Sequence, residues 1–126
     1  MMNKVVLITG GACGIGRAIA LELAKNHYDI VINYLTSRQA AEALKQQIIH
    51  EYSVRCLAVC ADISDADQVD RMATEIEEKL GGTDILINNA AVDLSNLFHL
   101  KNAEEFRRTL DVNVVGAFNC SKRVYK

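Results

Sequence analysis

The residues best suited to chemistry stand together in Thr9-Gly10-Gly11-Ala12-Cys13-Gly14-Ile15-Gly16, directly behind the apolar run Val5-Val6-Leu7-Ile8. Glycines at a strand-to-helix junction leave backbone amides bare, and bare amides at a helix N-terminus, where the dipole is positive, make a seat for a pyrophosphate. A side chain at Gly14 or Gly16 would obstruct that approach. The ligand-free alternative is a tight turn in which helix and strand pack closely, but the position behind the first strand favours a nucleotide. Further along, Asp62 follows the apolar run 56–59, Asn88-Asn89 follows 85–87, and Asn113 shares a helical spacing with Phe106, Leu110 and Ala117. That spacing aims Asn113 inward, where an unpaired amide costs about 1–3 kcal/mol and so demands a partner. A bond to its own helix or an adjacent strand is one way to supply it.

Positioning these groups takes an α/β scaffold. Residues 5–8, 30–32, 56–59 and 85–87 are short apolar runs of buried-strand length. Between and after them come helical stripes: Ile15, Ala18, Ile19 and Leu23; Ala41, Leu44 and Ile48; and Val69, Met72, Ala73, Ile76 and Leu80. Ser64 with Asp67 and Asn102 with Glu105 resemble N-terminal capping pairs, and Gly81-Gly82 is a stop signal. Strands separated by helices of this length run parallel, with right-handed crossovers, so the fold class is α/β, a doubly wound parallel sheet. The apolar half of the chain supplies one core, and 14 basic against 16 acidic side chains give no electrostatic pull toward nucleic acid. The run at 5–8 is too short for a signal sequence or a membrane span, so no membrane partner and a cytoplasmic location are expected. Cys13, Cys56, Cys60 and Cys120 lack metal-knuckle spacing and read as reduced thiols, while His27, His50 and His99 read as surface residues.

The motif Thr-Gly-x-x-x-Gly-Ile-Gly at 9–16 resembles the glycine motif of the short-chain dehydrogenase/reductase family. Ala61-Asp62-Ile63 is similar to that family's acidic position after the third strand. Asp84-Ile85-Leu86-Ile87-Asn88-Asn89-Ala90-Ala91 is similar to its fourth-strand motif Asn-Asn-Ala-Gly, with Ala91 in place of the glycine. Leu110-Asp111-Val112-Asn113-Val114-Val115-Gly116 resembles the long helix whose Asn belongs to the family's Asn-Ser-Tyr-Lys catalytic set. The likeness runs from Lys4 to the last residue, and among subgroups it is greatest to the 3-oxoacyl-acyl-carrier-protein reductases. It implies a Rossmann-like domain and an NAD(P)-dependent oxidoreductase that moves a hydride between nicotinamide and a small carbonyl or alcohol substrate. It implies cofactor contacts from Thr9, Gly10, Cys13, Gly14, Ile15 and Gly16, and from Asp62 to the adenine amino group with Ile63 against the base. The peptide groups of Asn89, Ala90 and Ala91 lie beside ribose and nicotinamide in this resemblance, with Asn88 structural. Asn113 is the catalytic-set residue, acting through water toward a Lys. The plain alternative for Asp62 is a cap on the turn before the next helix.

Where an NAD-preferring site places a carboxylate, after the second strand, this chain has Asn33-Tyr34-Leu35-Thr36-Ser37-Arg38. No acid there repels a 2′-phosphate, and Ser37 and Arg38 could donate to one, so NADP is the expected cofactor, with NAD the alternative. None of Tyr28, Tyr34, Tyr52 or Tyr125 has a Lys four residues on. Residues 1–126 therefore read as the amino-terminal portion of a larger single domain, truncated after four strands in the order 3-2-1-4 and catalytically inert alone. The apolar strand 85–87 is then an edge, which invites a homo-oligomer. The rival reading is a non-catalytic nucleotide-binding or interaction module.

Overall fold

The computed structural model describes residues 2–92 and 98–125. Along the chain run β1 (Val5–Ile8), α1 (Gly14–Lys25), β2 (Asp29–Tyr34), α2 (Arg38–Tyr52), β3 (Cys56–Cys60), α3 (Ala66–Leu80) and β4 (Ile85–Ile87). A 3-10 turn (Phe98–Leu100) then leads into α4 (Ala103–Leu110), a π-turn (Asp111–Val115) and α5 (Gly116–Val124). The strands are all parallel in the order β3-β2-β1-β4, as the sequence led us to expect. Because successive strand residues face opposite sides, the sheet feeds two cores. Val6, Ile8, Ile30 and Ile32 pack with Ala20, Ala24, Leu44 and Ile48 of α1 and α2. Val5, Leu7, Val31 and Val59 pack with Val69, Met72, Ile76 and Cys120 of α3 and α5. Every residue of β1 and β2 is buried, whereas among the described residues β4 pairs only with β1 and leaves Ile85 exposed.

Three sequence expectations are corrected. On α1 the buried row is Gly16, Ala20 and Ala24, and Ile15 and Ala18 are exposed. The cause is close approach: a Cβ on Gly16 would lie 2.6 Å from the Gly10 carbonyl oxygen, so only the smallest residues can face the sheet. The N-cap of α3 is Asp65, whose Oδ1 accepts from the N–H groups of Asp67 and Gln68 at 2.9 and 3.4 Å. Ser64 is unavailable because its hydroxyl donates to Asp62 at 2.7 Å. On the long helix, Phe106, Leu110 and Asn113 are exposed, and the buried row is Val112, Gly116 and Cys120. Phe106 and Leu110 already face outward ahead of the π-turn, and the inward row falls one residue before the expected Asn113 and Ala117. The Asn102–Glu105 cap and the Gly81 stop are as expected, with Gly81 at φ 91°. Burial pushes the thiols of Cys56 and Cys120 up to about 12 and about 11, while Cys13 and Cys60 are exposed and all four are free.

Candidate functional site: a cleft at the carboxyl ends of the strands

A cleft of about 440 Å³ opens where β1, β2, β3 and β4 end, the position at which doubly wound sheets hold ligands. Its floor is the glycine loop, locked to its neighbours by side chains whose hydrogen bonds serve backbone. Buried Asn33 accepts from the Gly10 N–H at 3.3 Å and donates to the Ala61 carbonyl at 3.1 Å, so one amide ties the ends of three strands. Asn89 donates from Nδ2 to the carbonyls of Thr9 and Gly10 at 3.1 and 3.0 Å. In return, the fully buried Thr9 hydroxyl accepts from the N–H groups of Asn89 and Ala90, each at 3.0 Å. A Cβ on Gly10 would lie 2.9 Å from the Ala90 Cα, which is why the loop and the end of β4 can touch.

Gly14 differs from these neighbours. Its φ is +58°, yet a Cβ there would meet nothing within 4 Å. Its backbone conformation calls for glycine, and the space beside it is open. The helix it begins has no capping side chain and no acid in its first turn, whereas α3 and α4 are both capped by a side chain and both carry acids there. Uncapped first-turn amides beside an open space fit a bound pyrophosphate.

On the far side of the cleft, Asp62 is held by two residues. Its Oδ1 accepts from the Ser64 N–H at 3.0 Å and the Ser64 hydroxyl at 2.7 Å, a turn-capping arrangement. Its Oδ2 lies 3.4 Å from both Nη1 and Nη2 of Arg108, and Nη1 donates to Ser64 Oγ at 2.9 Å. Partial desolvation raises the Asp62 carboxyl pKa, but the Ser64 hydrogen bonds and the Arg108 charge outweigh it and hold the group below its ordinary 3.8.

The structure brings Gly10, Cys13, Asn33, Tyr34, Ser37, Asp62, Ile63, Asn89, Ala90 and Ala91 to the cleft wall. Cys13 and Ser37 meet there, with Sγ 3.8 Å from Oγ. Thr9 and Gly16 lie buried beneath it, Gly14 and Ile15 stand exposed at the start of α1, and Arg38 is exposed at the start of α2. Asn88 donates to Ser121 of α5 at 3.1 Å, a structural tie as expected. Asn113 lies in the π-turn and makes a paired contact: Oδ1 accepts from the Val92 N–H at 2.7 Å and Nδ2 donates to the Val92 carbonyl at 3.1 Å. This clamps the segment after β4 against the helix. Arg108, Thr36 and Val112 line the cleft without having been singled out in the sequence. Thr36 follows the end of β2 and could have been read from that position, but Arg108 gave no signal. Among the described residues no group of His, Cys, Asp and Glu could hold a metal, and no helix is long and apolar enough to cross a membrane.

The family model for short chain dehydrogenase matches residues 4–126. The 3-oxoacyl-[acyl-carrier-protein] reductase of Staphylococcus epidermidis is 37% identical over 98% of this chain and 50% of its own length. That of Staphylococcus aureus is 38% identical over 97% of this chain and 49% of its own. Among solved structures, a blue fluorescent protein from a metagenomic library, in complex with NADPH, matches at TM-score 0.90 and 31% identity, over 98% of this chain and 51% of that one. The L-sorbose reductase of Gluconobacter frateurii, complexed with NADPH and L-sorbose, matches at 0.90 and 26%, over 99% of this chain and 47% of that one. The chain spans about half the length of the curated relatives it matches. A glycine loop stapled to two strand ends, an uncapped helix start and a family match from Lys4 onward agree, and the chain belongs to the short chain dehydrogenase family, whose members are oxidoreductases.

Proposed function

We propose that this chain is the dinucleotide-binding portion of an NADP(H)-dependent carbonyl or alcohol oxidoreductase, with 3-oxoacyl thioesters the substrate class to try first. In this reading residues 1–126 are the amino-terminal part of one larger domain. The observation that carries the reading is the uncapped start of α1 beside the open space at Gly14. The first-turn amides of α1 bind the pyrophosphate, Asp62 accepts from the adenine amino group, and Ile63 packs against the base. Arg108 and Asp62 are the charged residues of the cleft wall among the described residues, and they neutralise one another. No acid therefore opposes a 2′-phosphate near Ser37 and Arg38, and both can donate to it. The clamp between Asn113 and Val92 holds the segment after β4 where the nicotinamide ribose would lie. When bound, the nicotinamide ring supplies or accepts the hydride. No Tyr in the sequence has a Lys four residues on, so these residues do not include such a pair as proton donor for the carbonyl oxygen.

Two features support a second copy of the chain as partner: the unpaired side of β4 and the exposed apolar row on α4 and α5. Fluorescence titration tests the cofactor. NADPH should bind at least about tenfold more tightly than NADH, the order of one lost charge-assisted contact, and equal affinities or a preference for NADH would reject NADP(H). Turnover of NADPH with a 3-oxoacyl thioester above a no-protein control would show that the chain alone is a working enzyme.

A further inference from the structure

The charged part of the cleft wall has a feature that the nucleotide reading does not itself require. A carboxylate offers about four acceptor positions. At Asp62, Ser64 fills two on Oδ1 with short bonds, and Arg108 approaches Oδ2 with both Nη atoms at 3.4 Å. Arg108 is anchored to Ser64 Oγ by its short bond of 2.9 Å, so the guanidinium meets Oδ2 only through two long contacts, and both residues line the cleft. Both partners still meet water: the Asp62 side chain is 23% exposed and that of Arg108 38%. A flat base laid over Ile63 would remove that water, and a carboxylate desolvated without a cation beside it is strongly disfavoured. Arg108 reaches the site from α4, 46 residues further along the chain.

We infer that Arg108 is a positioning residue of the adenine subsite: with Ser64 it holds the Asp62 carboxylate at the cleft wall, its two long contacts leave Oδ2 able to accept a shorter bond from an amino group, and it balances the carboxylate charge once a base covers it. This rests on the nucleotide reading above. It also makes α4 part of the nucleotide site, although no residue of α4 need touch the nucleotide.

The test is a double-mutant cycle read by calorimetric titration of the 126-residue chain with NADPH. R108M should weaken binding about tenfold when Asp62 is present and less than about twofold in the Asp62→Asn background, where no charge remains to be balanced. Nicotinamide mononucleotide, which lacks the base, should bind R108M and the unsubstituted chain alike. Equal losses in both backgrounds would mean that Arg108 only supports the helix, and would overturn the inference. If circular dichroism shows that R108M does not fold, R108K takes its place. It keeps the charge without the fork and should lose about threefold with Asp62 and nothing without it; any other pattern overturns the inference. Failure of the unsubstituted chain to bind NADPH would remove the nucleotide reading and this inference together, whereas binding with additive losses removes only the role of Arg108.

Discussion

The centre of the sheet and the long helix use apolar residues in opposite ways. All of β1 and β2 is buried, covered by α1 and α2 on one face and by α3 and α5 on the other. On the helix, Phe106, Val114 and Phe118 are 56, 58 and 61% exposed, and the buried row is only Val112, Gly116 and Cys120. What fastens the helix is polar: Asn113 on Val92, Asn119 on the Ile63 carbonyl, and Arg123 on Asp70 and Glu77. The glycine-loop cradle is thus completed by the chain's own packing, while the helix is pinned at points along one side and presents the other. Stability should therefore reside in the cradle, and association in the helix.

Two glycines make the sharpest test, because a Cβ at either would meet an atom at 2.6 Å. At Gly16 the obstacle includes the Gly10 carbonyl, which is backbone held by Asn89 and cannot yield. Gly16→Val should cost about 3 kcal/mol in urea unfolding and abolish NADPH binding. At Gly116 the obstacle is the buried Ile63 side chain, with Cγ1 at 2.6 Å and Cδ1 at 2.7 Å, and no backbone atom, so Gly116→Ala should cost less, about 1 kcal/mol. Equal losses at the two sites would erase the distinction between cradle and helix. Phe118→Ser should change stability by less than about 0.5 kcal/mol yet lower the mass measured by light scattering, and an unchanged mass would deny that the exposed row associates. The smallest effect concerns acid. Because the folded-state pKa of Asp62 is depressed, its contribution is complete above the ordinary carboxyl value of 3.8 and is lost as pH falls through the folded value. Asp62→Asn should flatten the decline in stability below about pH 4, and an unchanged slope would show that Ser64 and Arg108 give Asp62 no advantage.

The strand order and the helical stripes of α2 and α3 were legible because they depend on local period and strand length, which burial in a parallel sheet enforces. The glycine loop was legible because each of its positions serves one neighbourhood. Three things escaped. The phase of α1 was misread because its buried row is made of the small residues Gly16, Ala20 and Ala24, and the larger Ile15 on the outside dominates any hydrophobic pattern. The direction of Asn113 was misread because the inward row falls one residue earlier, and its Gly116 and Cys120 are too small to outweigh the larger Phe106 and Leu110 in a hydrophobic pattern. Arg108 was invisible for a different reason: a lone Arg on a polar helix is unremarkable until folding places it beside Asp62. Asn33, expected at the cofactor, lines the cleft, and its amide is engaged by Gly10 and Ala61.

The Thr9 hydroxyl takes the N–H groups of Asn89 and Ala90, which lie beyond the last paired residue of β4. In hydrogen–deuterium exchange, amides past a strand end ordinarily lose their protons quickly. Here two of them are closed off by one side chain that is fully buried, so they should exchange with the slow amides of β1 rather than with the loop they belong to. Thr9→Val, nearly the same in shape, would strand both donors and turn that protected pair into a fast-exchanging one. In the time domain, then, the sheet reaches Ala90, three residues beyond the last rung of its ladder.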